Sequence, residues 1–163
     1  MEVRNCADLG INAQFIIKRL LANQNLLKLL YYTDKDPLNH EDLTEEQIKK
    51  EIFDKLVKIV PRVGPHETAT SVVALRIARG RGLAQNKEFK TVSISIEIFV
   101  PLTQWIIKDT NLRPFAIMGE IQKSLNNKKI EGLGKLTGGD FDLNFLTEEM
   151  SAYEQFFSLT SYD

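Results

Sequence analysis

Between positions 91 and 100 the chain reads TVSISIEIFV, an alternation of period two. Val92, Ile94, Ile96, Ile98 and Val100 form one set; Thr91, Ser93, Ser95, Glu97 and Phe99 form the other. Successive side chains of an extended strand point to opposite faces, so this stretch predicts a strand with one face in a core and one mostly wet. Its β-branched residues would crowd a helix and pack well on a pleat. The rest of the chain reads as what covers that face, pairs with its edges or hangs from its ends.

A chain of 163 residues is sized for one domain whose core needs no covalent staple. A single cysteine, Cys6, excludes an internal disulfide and fits a reducing cytosol. The 21 basic and 22 acidic residues nearly cancel, which argues against a dedicated nucleic-acid binder or a polybasic membrane protein. No apolar run approaches a membrane span, and the start MEVRNCADLG lacks the regions of a signal peptide. The expectation is a soluble chain that stays where it is translated, with no membrane partner.

An opening helix is expected from Asp8 or Asn12 to about Leu30. Ile16, Ile17, Leu20, Leu21, Gln24 and Leu27 form its buried stripe, and Lys18, Arg19, Asn23 and Lys28 face out. A loop around Pro37 follows, then a capping box, Thr44 with Gln47, opening a helix to about Lys55 with Ile48, Ile52, Phe53 and Leu56 on one face. LVKIV, at 56–60, reads as a short strand or the helix end, and residues 61–70 as an irregular connection. A second strand, with Val73, Leu75 and Ile77 alternating, joins the 91–100 strand through a long hairpin tip, RGRGLAQNKE. Pro101 ends that strand's regular pairing. Arg113 and Pro114 open a third helix with Phe115, Ile117, Met118, Ile121 and Leu125 on its apolar side. Phe141, Leu143 and Phe145 alternate as a strand, and Tyr153 to Leu159 closes the chain as another. The order α-α-β-β-α-β-β implies an α+β fold: a mostly antiparallel sheet with a long central hairpin and helices packed on one face.

Catalytic and metal patterns fail on their spacing. Acids from Asp34 to Glu45 touch some EF-hand positions, but Pro37 sits inside the loop, Leu38 takes a ligand slot and Asn39 replaces the turn glycine. Around Gly132 and Gly134, Lys129 stands where a phosphate loop needs glycine and Leu136 where it needs Ser or Thr. His40 and His66 lie in separate loops, and a metal site needs about three convergent donors. No catalytic residue, metal or cofactor is expected, and the chain is not read as an enzyme.

Charge and aromatic placement point to contacts instead. Arg76, Arg79, Arg81, Lys87 and Lys90 make the hairpin basic, with guanidinium groups able to meet phosphate or a neighbour's carboxylates. Residues 34–51 lead with acids, among them Asp34, Asp36, Glu41 and Asp42, a complementary surface on the same chain. A patch that matches a different patch on an identical copy makes heterologous contacts, which close into rings. Phe99, on the polar side of the central strand, Trp105, Tyr31 and Tyr32 are candidate interface anchors, with core burial the ordinary alternative.

In order and texture the chain resembles the tail-terminator or tail-completion (neck) proteins of long-tailed bacteriophages. The features are the leading helices, the hairpin VVALRIARGRGLAQNKEFKTVSISIEIFVPLTQWII, the helix RPFAIMGEIQKSLN, and KIEGLGKL followed by YEQFFSLTSYD, over roughly residues 9–163. The resemblance implies a structural virion protein, assembled in the host cytoplasm, that forms a homo-oligomeric ring, typically a hexamer. Such a ring caps the tail tube, stops its polymerisation and docks to the head connector, while DNA passes through without sequence recognition. Arg79 and Arg81 would then reach a neighbour or the channel. The acidic residues 34–51 match no family role. A head-completion or adaptor ring at the portal is the nearest alternative. A small cytosolic nucleic-acid-binding regulator is another, weakened by the neutral charge and the missing recognition-helix pattern. A small hydrolase would need a convergent site.

Overall fold

The computed structural model of the chain describes residues 6–59, 70–82, 89–130 and 134–160. Two helices come first, α1 (Cys6–Leu21) and α2 (Gln24–Tyr31), where the apolar stripe predicts one. Asn23 is the reason for the break. It leaves helical geometry at φ −94° and ψ 97°, and its side-chain oxygen accepts a hydrogen bond from the Leu26 amide. That satisfies one of the orphan donors at a helix start. Its Nδ2 donates to Glu120 O, Glu120 Oε2 and Ser124 Oγ at 3.1, 3.1 and 2.9 Å, so Asn23 does not face out as expected. Lys28 does not either: its stem is buried and its Nζ lies 2.7 Å from Asp42 Oδ1. A long lysine can cover apolar surface with its methylenes while its charge reaches a partner.

The expected capping box is present at α3 (Glu45–Gln47). Thr44 Oγ1 accepts from the Gln47 amide and Gln47 Oε1 from the Thr44 amide. The helix does not run on to Lys55. It widens into a π-helical turn, Ile48–Ile52, and stops where Asp54 takes φ +61°. The wider turn carries Phe53 away from the core, and Phe53 is exposed while Ile52 is buried. LVKIV resolves as a strand, β1 (Val57–Lys58), parallel to β2 (Val72–Gly82) with Val57 opposite Val73.

β2 and β3 (Phe89–Pro101) form the expected hairpin, registered from Val72 opposite Phe99 to Gly82 opposite Phe89. The hairpin tip with Lys87, and the connection with His66, lie outside the described residues. Val92, Ile94, Ile96, Ile98 and Val100 are all buried. The other face corrects the expectation of a wet surface: Ser95, Glu97 and Phe99 are buried too. On that face the register sets Phe145 of β5 (Gly134–Leu146) and Phe99 on either side of Ala152 of β6 (Met150–Thr160), their rings 6.0 Å apart, and Asn144 reaches Glu97.

α4 (Arg113–Leu125) buries Ile117, Met118, Ile121 and Leu125 as the periodicity predicts. β4 (Lys129–Ile130), unforeseen, pairs with the start of β5, and β6 (Met150–Thr160) runs between β3 and β5. The result is an α+β fold on one six-stranded sheet, ordered β1-β2-β3-β6-β5-β4 and antiparallel except at β1. α1 lies against β1 and β2, and α4 against β3 and β5. The core between them includes Ile16, Leu20, Leu26, Leu29, Ile96 and Phe157. Each such residue, fully buried, contributes about 1.5–3 kcal/mol relative to exposure.

Two bulges shape β5. Gly138 and Gly139 take φ +138° and +117°, and a Cβ on Gly138 would sit 2.6 Å from Phe156 O. Glycine is the residue that tolerates this backbone. The second register shift falls between Leu143 and Phe145. It splits the expected alternation: Phe141 and Leu143 pair with Gln155 and Tyr153, whereas Phe145 joins Phe99 across the sheet.

Candidate functional site

One group of exposed apolar residues lies at the β5 end of the sheet. Phe141 is 49% exposed, Leu143 52% and Leu146 60%, beside a partly exposed Phe115 from α4. Phe115, Phe141 and Tyr153 stack in a triangle with centroid separations of 5.4 to 6.1 Å. Offset and edge-on contacts of this kind hold rings in place while leaving one side uncovered. Scattered exposed apolar residues need no explanation, but a contiguous group with fixed aromatic anchors has the chemistry of a protein contact surface.

Trp105 borders this group, its ring 6.3 Å from Tyr153 and its Nε1 donating to Ser151 Oγ at 2.8 Å. It is half-buried and tied to the start of β6. Phe99 is core, against its candidate role as an exposed anchor. Tyr31 and Tyr32 are half-buried against the core, in edge contact with each other, and Tyr32 stacks on His40 at 3.9 Å. Sequence reading missed Phe115, Phe141 and Leu143 as a surface because alternation marks a face without telling whether anything covers it.

On the opposite face, Arg76 bridges two carboxylates. Its Nη2 lies 2.6 Å from Glu154 Oε1 and 3.0 Å from Glu97 Oε1, and Asn144 Nδ2 donates to Glu97 Oε1 at 3.1 Å. Glu97 and Glu154 stand directly opposite each other on β3 and β6. Burial pushes the Glu97 carboxyl above its ordinary value; the Arg76 charge opposes this and Glu154 adds to it. Arg76 is therefore committed within the chain. The register pairs Arg79 with Ser93 and Arg81 with Thr91 after a bulge at Ala78, and their side chains lie outside the described residues.

The acidic stretch is tied to its own cations. Asp34 Oδ2 lies 2.7 Å from His40 Nε2, Asp36 Oδ2 3.0 Å from Lys108 Nζ, and Asp42 pairs with Lys28. The Glu41 carbonyl accepts from Tyr32 Oη at 3.5 Å. Burial pushes the Asp34 carboxyl up, but the Asp36 amide and His40 outweigh it and hold the group below its ordinary value. These internal pairs neutralise part of the surface that the sequence offers as an acidic partner patch. Beneath the loop, Arg113 is fully buried. Its guanidinium donates to Gln104 O, Leu29 O, Tyr32 O and Asp34 O, at 2.9, 2.6 and 2.7 Å for the first three. The sequence marks Arg113 only as a helix start.

Among the described residues no three His, Cys, Asp or Glu side chains gather as a metal site. No described helix is long and apolar enough to cross a membrane. An open hollow of about 500 Å³ at the α1–α2 junction is lined by Arg19, Asn23, Lys123 and Lys128, with Lys123 paired to Glu120 at 2.6 Å. Among curated proteins none matches the chain. A family model does match it, over residues 23–159, from the cap of α2 almost to the end of β6. The chain belongs to the YomW family, whose name is that of a phage-derived, SPbeta-like prophage protein and suggests a phage protein.

Proposed function

We propose that the chain is a structural virion protein, a tail-terminator or neck subunit that assembles as a ring on the tail tube, stops its growth and joins tail to head. The carrying observation is the aromatic and aliphatic surface of Phe115, Phe141, Leu143 and Leu146, uncovered at one end of the sheet in a chain of a phage-associated family. A surface of that chemistry fits protein partners, here the tail-tube protein, the head-connector protein and other copies of the chain. The near-balance of 21 basic and 22 acidic residues suits a conduit through which DNA slides, since tight phosphate binding would hold the cargo back. In this reading the protein performs no bond chemistry and needs no cofactor. Its site of action is the tail neck, after assembly in the host cytoplasm.

Adding the purified chain to tail-tube protein of the same phage as it polymerises tests the reading. A terminator shortens the tubes in proportion to the amount added and leaves the ends unable to extend. Tubes whose length distribution is unchanged at every ratio contradict it.

A further inference from the structure

The six-stranded sheet has two unfinished edges. β1 covers β2 only at Val73 and Ala74, and β4 covers β5 only at Lys135 and Gly134. Among the described residues, 75–82 of β2 pair only with β3, and 140–146 of β5 pair only with β6. We propose that the β5 edge of one copy pairs with the β2 edge of the next, so that the sheet continues from subunit to subunit. This rests on the ring-forming reading and names the interface that would build the ring.

Strand direction permits the pairing. β2 is antiparallel to β3, β3 to β6 and β6 to β5, so β2 and β5 run in opposite directions. A copy rotated about an axis lying along the strands sets its β2 beside β5 as an antiparallel neighbour, the arrangement in which edge strands exchange main-chain hydrogen bonds. Repeating one rotation gives a heterologous contact that closes into a ring.

Chemistry matches on both faces. Asp140 and Asp142 pair with Phe156 and Glu154, and through β6 with Ser95 and Glu97 of β3. Beyond Arg76, which its own chain's carboxylates hold, the β2 positions in the same set are Arg79 and Arg81, opposite Ser93 and Thr91. The other set holds Phe141 and Leu143 on β5 and the exposed Ile77 on β2. A continued sheet keeps its faces, so the positions of Asp140 and Asp142 fall on the same side as the positions of Arg79 and Arg81, and those of Phe141 and Leu143 on the side of Ile77. A one-residue slip would set charge against hydrocarbon. Joining two copies β5 to β5 would oppose Asp140 and Asp142 to their own kind, which disfavours a two-fold dimer.

The bulges at Gly138 and Leu143 leave 140–143 as the regular stretch, and such devices, with charged residues, guard edges against unspecific partners. The contact is therefore short and selective.

Sedimentation of the full chain across concentration tests it, using wild type, Asp140→Lys with Asp142→Lys, and Arg79→Glu with Arg81→Glu. The wild type gains mass with concentration, and each variant alone stays monomeric because like charges meet at every contact. A one-to-one mixture of the two variants recovers association, because lysine then faces glutamate at one contact and native aspartate faces native arginine at the next. Recovery also shows that both variants are folded. A wild type monomeric up to its solubility limit, a variant that associates alone as wild type does, or a mixture that fails while wild type associates would each overturn the pairing. Association with this pattern by a chain that leaves tail tubes unaltered would support the pairing and contradict the terminator reading.

Discussion

Arg113 shows how much one side chain can organise. Its guanidinium reaches three carbonyls in the stretch from the end of α2 into the loop after it (Leu29, Tyr32 and Asp34) and the Gln104 carbonyl nine residues before it, joining two regions about 80 residues apart in sequence. Burial pulls its pKa below the usual arginine value, with Asp34 opposing, so the main-chain carbonyls carry the solvation that water would supply. Arg113→Ala orphans those carbonyls, each worth about 1–3 kcal/mol when left buried and unpaired, and a total loss of about 3 kcal/mol or more is expected. Arg113→Lys keeps the charge but not the fork of donors and should rescue little. Denaturant unfolding of both variants checks this, and a loss below about 1 kcal/mol in either would contradict it. Glu97 makes a prediction of the opposite kind. Its folded-state pKa is raised, so the native chain holds that proton more tightly than the unfolded chain does. Its contribution is full below the unfolded value and is lost as pH rises through the folded value. The stability of wild type minus that of Glu97→Gln should therefore increase as pH falls from neutral toward the ordinary glutamate value of 4.5. A difference that is flat, or that shrinks on acidification, would contradict the assignment.

At the scale of elements, Asn23 ends α1, caps α2 and ties both to α4, so Asn23→Ala should cost about 1–2 kcal/mol in an unfolding titration. Gly138→Ala should cost about 1–3 kcal/mol, because the added Cβ meets Phe156 O in a backbone region that suits glycine. Local signals explain what the sequence made legible. The β3 alternation, the Thr44–Gln47 box and Pro114 in the first turn of α4 each act within a few residues, and each element forms near where they place it. The break at Asn23 had a readable cap, masked by an apolar stripe that continues through it. The bulge that moves Phe145 across the sheet depends on β6 and left no local mark. The buried state of Glu97 was hidden for the same reason: its cover, Arg76 of β2 and Asn144 of β5, is tertiary. Of the candidate site, charge and aromatic content were legible. Which charges are spent internally was not.

For the whole molecule, internal pairing reduces what each charged patch can offer a partner. Arg76 serves Glu97 and Glu154, and Asp34, Asp36 and Asp42 serve His40, Lys108 and Lys28. What remains open at the β5 end is apolar surface with two aspartates beside it, a combination suited to recognising one neighbour rather than gripping nucleic acid. The ring reading draws these features together with the phage-associated family. Its most direct test is electron microscopy of pre-formed tail tubes incubated with the purified chain. The account predicts a ring with a central opening seated on tube ends and absent from tube walls, and ends so capped that fail to grow when fresh tube protein is added. Bare ends that continue to elongate in the presence of excess chain would contradict it.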